Sequence, residues 1–316
     1  MSEQFSRREM LESSGLVGAS ALPSVAGADA TTADPLSHLR TVRSRHLTDS
    51  SWLMPAHFGA PQWGGEQPYP DPLGEASYGD EEAITIRYLT DEKQVLQYLP
   101  EPYELNGPPT VTIAYGRNRQ INWLAGGDYN IVKVAVDATY PGQVDRVSGG
   151  YVLVLWENLT DPILPGREFQ GMPKIYADIE NHRIYDGTWM TTVSNRGKTM
   201  LDLQASNLKQ IQGEEFETFR NDRRNGGMPG WKYIPGESSV DEPLVSYATE
   251  FPTTTEYHEA WSADGTFEWH SLAWQDNPTQ SHIVNALHAL PVKEIMSCTV
   301  TKASKVLQVA KVRRLR

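Results

Sequence analysis

One lysine stands out by its surroundings: Lys174 follows Pro173 directly and heads the apolar run Ile175 to Ile179. An ordinary lysine titrates near ~10.4, so at neutral pH only about one in a few thousand is a free amine. Partial burial at the mouth of a strand penalises the ammonium and raises that fraction. A neutral lysine amine attacks a carbonyl carbon and forms an imine, and that is the chemistry this position offers. The plain alternative is a strand-edge lysine that reaches into water and guards the edge against pairing. Lys174 ends the nonamer Gly166-Arg167-Glu168-Phe169-Gln170-Gly171-Met172-Pro173-Lys174. Glu168, beside Arg167 in a tight turn, reads as a tie to the arginine or to backbone amides more readily than as a general base.

The elements that must hold this lysine are mostly strands. Ile84 to Leu89, Val111 to Tyr115, Ile131 to Val136 and Tyr151 to Trp156 are β-branched or aromatic runs with period-two character. Gly107-Pro108-Pro109, Gly126-Gly127-Asp128 and Pro141-Gly142 punctuate them as turns. Further strands are expected at Lys174 to Ile179, Trp189 to Val193, Val245 to Glu250, Thr266 to Trp269 and Val292 to Val300. One helix is predicted over Glu92 to Tyr98, capped by Thr90 or Asp91 and closed by Pro100. Gly213 to Gly236, with a mixed charge run and Asn225-Gly226-Gly227, reads as an exposed loop. A long meander with few helices predicts a mainly β (α+β) fold, an antiparallel sheet closed into a barrel or cone so that few edges remain.

The chain of 316 residues carries 40 acidic against 28 basic side chains, a net charge of −12 that repels phosphate backbones, so nucleic acid is not an expected partner. No run of eighteen apolar residues is present, and no membrane span is expected. One cysteine, Cys298, excludes an internal disulfide and any thiolate metal cluster, and reads as a packed core thiol. No metal-binding histidine spacing and no phosphate-cradling glycine motif occurs, so neither a metal nor a nucleotide cofactor is expected. Residues 1–30 read as a twin-arginine export signal: Arg7-Arg8, a small-residue apolar run and Ala28-Asp29-Ala30 come in the right order. This predicts an exported protein, a cytoplasmic tail being the alternative. Residues 31–80 read as a linker followed by a proline- and aromatic-rich arm, and residues 81–316 as the β domain.

The blocks around Lys174 resemble one known family. Gly150, the strand Tyr151 to Trp156, the Glu157-Asn158 turn, Gly166-Arg167-Glu168 and Pro173-Lys174 are similar to the signature of the acetoacetate decarboxylase family. Thr90-Asp91, Leu99-Pro100-Glu101-Pro102 with Glu104, His258-Glu259-Ala260-Trp261 and Leu290-Pro291-Val292-Lys293-Glu294-Ile295 extend the resemblance over most of Ile84 to Arg316. It implies the same barrel-like fold, oligomeric assembly and cofactor-free imine chemistry at Lys174. Departures matter too. The place of the family's second lysine is Ile175, which leaves desolvation and Arg167 to activate the amine. The place of an expected arginine is Glu81, and two expected carboxylates fall near Ile113 and Ala125. Tyr115 and Tyr151 lie on strands that the resemblance puts around the pocket, as proton shuttles or core aromatics, and Ile113, Trp123 and Trp156 are the residues expected to set pocket size. The expected function is a lyase acting through a lysine imine on a keto acid or related small-molecule carbonyl. An aldolase-dehydratase on a larger carbonyl, and a binding protein without turnover, are the alternatives.

Overall fold

A computed structural model describes residues 62–63, 67–68 and 75–316, apart from 224 and 239, and all of these fall in one compact unit. The export signal and most of the linker and arm lie outside the described residues. Ten strands carry the architecture: β1 Ala76–Leu89, β2 Thr110–Ile121, β3 Tyr129–Pro141, β4 Arg146–Glu157, β5 Lys174–Tyr176, β6 Thr188–Asn195, β7 Lys198–Gln210, β8 Asn225–Ile234, β9 Val245–Trp269 and β10 Glu294–Leu307. Their order in the sheet is β6-β7-β9-β10-β1-β2-β3-β4-β5, with β8 paired to the first half of β9. Shorter helices are α1 Glu92–Leu96, α2 Gly213–Arg223 and α3 Ser281–His288.

The sheet is mainly antiparallel and strongly curled, with two departures from the sequence expectation. β5 runs parallel to β4, because Lys174–Tyr176 returns after a long turn in place of a hairpin. The ladder also does not close. Among the described residues its two ends are joined only where Asp178–Ile179, just past β5, pairs for two residues with Ser194 and Val193 of β6.

Period-two alternation gives the sheet two unlike faces. Ile84, Ile86 and Tyr88, then Val111 and Ile113, then Val132, Val134 and Val136, then Val154 and Trp156 are buried together on one face with Val284 and Leu287 of α3. The residues between them turn the other way, into the hollow of the curl.

α1 is capped as predicted: the Asp91 carboxylate accepts the Gln94 amide at 3.1 Å. Gly213 to Gly236 is not a loop, since α2 and β8 occupy it. β8 is held by a full ladder along β9, whose 25 residues also absorb the two strands expected at Val245 to Glu250 and Thr266 to Trp269. β9 stays unbroken because it pairs with β8 along its first half and with β7 along its second. Cys298 is buried, and desolvation raises its thiol to about 12.

Candidate active site

The turn that delivers Lys174 is built by its glycines. Gly166 sits in helical backbone, φ −60 and ψ −40. Steric room is its purpose, because a Cβ there would stand 2.5 Å from Lys174 Cε and 2.9 Å from its Nζ. Gly171 has φ +72, which L side chains rarely adopt, and it ends a widened helical turn over Gly166–Gln170. The Met172 amide then donates to Gly166 O at 2.9 Å and the Lys174 amide to Met172 O at 2.8 Å. Arg167 clamps the result from outside, its Nη1 donating to the Lys174 carbonyl at 2.9 Å. The motif is thus a wrap around one side chain.

Lys174 is 7% exposed. Its Nζ lies 2.9 Å from Glu157 Oε1 and donates to the Pro162 carbonyl at 3.0 Å. Parallel pairing sets Lys174 beside Leu155, and Glu157 follows two residues along β4 on the same face. The Glu157 side chain is 1% exposed. Burial pushes its carboxyl above the usual carboxylate range, against the opposing pull of Lys174. Its second oxygen, Oε2, is buried without a hydrogen-bond partner. A carboxylate with a raised proton affinity and a free oxygen, touching an amine, can take that amine's proton and return it.

Both residues line a cavity of about 220 Å³ in the hollow of the sheet. Glu81, Lys133 and Lys305 line it as well. Lys305 pairs with Glu81, both largely buried. Lys133 projects from the middle of β3, and its Nζ meets the Met228 thioether at 3.7 Å. Desolvation first, and the neighbouring Lys305 second, lower its ammonium below the ordinary lysine value, against the opposing pull of Glu81. Part of the Lys133 surface stays uncovered because it faces the cavity.

The other residues singled out in the sequence are dispersed. Tyr115 borders the cavity, but its hydroxyl accepts the His182 amide at 3.0 Å and meets His182 Nδ1 at 3.3 Å. Burial raises that phenol to about 12. Tyr151 lies in a separate cluster, 4.7 Å between ring centroids from Tyr103, and lines a different hollow with Trp231. Ile113 and Trp156 point to the core face of their strands, opposite the Lys174 cavity, and Trp156 Nε1 donates to Gln280 at 2.7 Å. Trp123 packs with Tyr129 near the end of β2 and does not line the cavity. Glu168 lies near Lys232, whose charge it favours, and it too is outside the cavity lining.

Two site residues were passed over in the sequence. Glu157 was read as a turn residue and Lys133 as part of a strand. The available signal was the same for both: a charged side chain in register with inward-facing positions of an otherwise apolar central strand.

A sequence model described as acetoacetate decarboxylase matches residues 53–314. The chain belongs to the acetoacetate decarboxylase family. An acetoacetate decarboxylase from Burkholderia ambifaria (strain MC40-6) is 31% identical over 111 residues, 35% of this chain and 42% of that protein. One from Burkholderia mallei (strain NCTC 10229) is 32% identical over 106 residues, 34% of this chain and 40% of that protein. These alignments span less than half the length of either relative. Among solved structures, acetoacetate decarboxylase from Legionella pneumophila superposes with a TM-score of 0.61 at 22% identity, covering 74% of this chain and 85% of that one. An acetoacetate decarboxylase-like enzyme from Sphingomonas wittichii RW1 gives 0.58 at 14% identity, covering 77% and 94%. The enduracididine biosynthesis enzyme MppR, complexed with pyruvate, gives 0.57 at 14% identity, covering 76% and 90%. These likenesses carry the fold, and family membership supports an enzyme.

Proposed function

We propose that the protein is a cofactor-free carbon–carbon lyase that works through an imine between Lys174 and a small keto acid. The observation that carries this reading is the contact of a buried lysine amine with a buried carboxylate at 2.9 Å on the wall of a cavity. Glu157 takes a proton from Lys174, and the free Nζ attacks the ketone carbon to give a carbinolamine. Glu157 returns that proton to the departing hydroxyl, which leaves as water, and a protonated imine remains. The carbon–carbon bond to the carbon next to the imine then breaks, the departing fragment leaving as CO2 or a carbonyl compound while the electron pair passes into the imine to form an enamine. Protonation of the enamine carbon and hydrolysis release the product ketone and restore the lysine.

Cavity size bears on the substrate. At about 220 Å³ it falls below the roughly 300–1,000 Å³ typical of pockets for drug-sized ligands. That favours a compact keto acid over a large aromatic carbonyl.

Borohydride reduction in the presence of small ketones and keto acids, followed by intact mass, tests the proposal. One covalent adduct on the wild type, absent from Lys174→Ala, is the expected result. A panel that leaves the wild type unmodified rejects it.

A further inference from the structure

The ionisable side chains that line the cavity do not balance. Lys133, Lys174 and Lys305 supply three amines, while Glu81 and Glu157 supply two carboxylates. The carboxylates are already assigned, Glu157 to Lys174 and Glu81 to Lys305. The remaining titratable groups of the lining are Tyr78, Tyr115, Tyr129 and Tyr257, and phenols bring no charge at neutral pH. Lys133 is left with three N–H donors and a thioether as its hydrogen-bonding contact among the described residues. A thioether is a weak acceptor, so a partly desolvated amine held against one gains free energy when a stronger acceptor arrives.

Strand register puts this residue in one row with Lys174. Ala114, Lys133, Leu155 and Lys174 form one row across β2, β3, β4 and β5. Lys133 and Lys174 are therefore two strand spacings apart, about 10 Å between backbones, with both side chains entering the same hollow. Both line the same cavity of about 220 Å³, room for a small molecule held at both ends.

We propose that Lys133 is a substrate-anchoring residue that binds the carboxylate of a monoanionic keto acid while Lys174 holds its carbonyl carbon. This deepens the preceding section and rests on Lys174 being the imine amine. The site takes one negative charge, because its lining carries three amines against two carboxylates. Arrival of the carboxylate supplies the missing acceptor. An adjacent anion also favours the charged form of this amine.

The test compares acids with their neutral isosteres. A 2-oxo, a 3-oxo and a 4-oxo acid of four or five carbons are each trapped with borohydride beside the corresponding methyl ester, and adducts are mapped by peptide mass. In the wild type at least one acid is trapped on Lys174 at least tenfold more efficiently than its ester. In Lys133→Met that preference falls to within about twofold. An unchanged preference in Lys133→Met, or an adduct mapped to Lys133, overturns the proposal. Calorimetry with butanoate, which forms no imine, gives a second readout. The wild type binds it with a saturable heat, and Lys133→Met does not. Butanoate binding that Lys133→Met leaves intact also overturns the proposal. Failure of all trapping on Lys174 with butanoate binding intact in the wild type rejects the imine reading alone.

Discussion

Replacing Gly166 by alanine perturbs Lys174 through a single methyl group. The backbone at this position is helical, so alanine fits it and by itself would stabilise the fold by about 0.5–1 kcal/mol. The new Cβ, however, would lie 2.5 Å from Lys174 Cε, where ordinary contact begins at 3.4 Å. The lysine chain must retreat by roughly an ångström, and its 2.9 Å contact with Glu157 and 3.0 Å bond to Pro162 O cannot both survive that movement. Overpacking of this kind costs about 1–3 kcal/mol, so the net loss of stability is at most ~2.5 kcal/mol. Misplacement of a reacting group by ~1 Å costs about 100-fold in rate. Borohydride trapping should therefore slow by about two orders of magnitude in a protein that remains folded, with thermal unfolding measured alongside. Gly171→Ala provides the contrast. There φ is +72 and the added Cβ would meet Lys232 backbone at 2.7 Å, so destabilisation should dominate. A Gly166→Ala protein that is trapped within threefold of the wild-type rate would refute the argument that this glycine exists to seat the lysine.

Two further predictions concern the buried charges. Glu157→Ala removes one partner of a buried pair and should lower stability to urea by ~3–5 kcal/mol, with Lys174 left uncompensated. Glu157→Gln, which keeps the volume, should abolish most trapping while losing less stability, and wild-type trapping in Glu157→Gln would eliminate the carboxylate as proton carrier. Lys133 makes a prediction about pH. Its folded-state value lies below the unfolded lysine value near ~10.4, so its stabilising contribution is present above that value and lost as pH falls toward the folded one. Lys133→Met lacks this loss. The stability difference, variant minus wild type, should therefore grow as pH is lowered from 10.5, by up to about 1.4 kcal/mol per pH unit, until the folded-state lysine is itself charged. Urea melts at several pH values measure this, and a flat difference contradicts the desolvation of Lys133.

Much of this arrangement is visible in the residues themselves. The Gly166 to Lys174 motif marks the lysine, β-branched runs mark the strands, and Asp91 marks the start of α1. What period two cannot tell is which face of a strand meets solvent, which meets the core and which meets a cavity. Ile113 and Trp156 were chosen as pocket residues from the correct strands, but the curl of the sheet puts their parity on the core side. Lys133 and Glu157 have the other parity and share the hollow with Lys174. That coincidence depends on β5 returning parallel to β4, a pairing made across a turn of 16 residues, 158–173, with no local signal of its register. α2 and β8 were missed for a related reason. Asn225-Gly226-Gly227 has the composition of a loop, and only the ladder along β9 makes it a strand.

The anchoring role of Lys133 has a consequence for the reaction itself. For a carboxylate to leave as CO2 its negative charge must pass into the imine, so an ammonium held against it stabilises the ground state more than the transition state. Hydrogen bonds to charged groups contribute about 1.5–3 kcal/mol, which corresponds to roughly 10–150-fold in rate. A carboxylate bound by Lys133 is therefore one the substrate retains, and the bond made or broken lies on the other side of the imine carbon. In D2O the wild type should exchange the C3 hydrogens of 2-oxobutanoate through the enamine, read by proton NMR, with the acid recovered intact. For a 3-oxo acid, Lys133→Met should raise both KM and the kcat of CO2 release. A kcat for CO2 release that falls in Lys133→Met, with KM unchanged, would mean that the amine assists departure of the carboxylate, and the retained-carboxylate argument would fail.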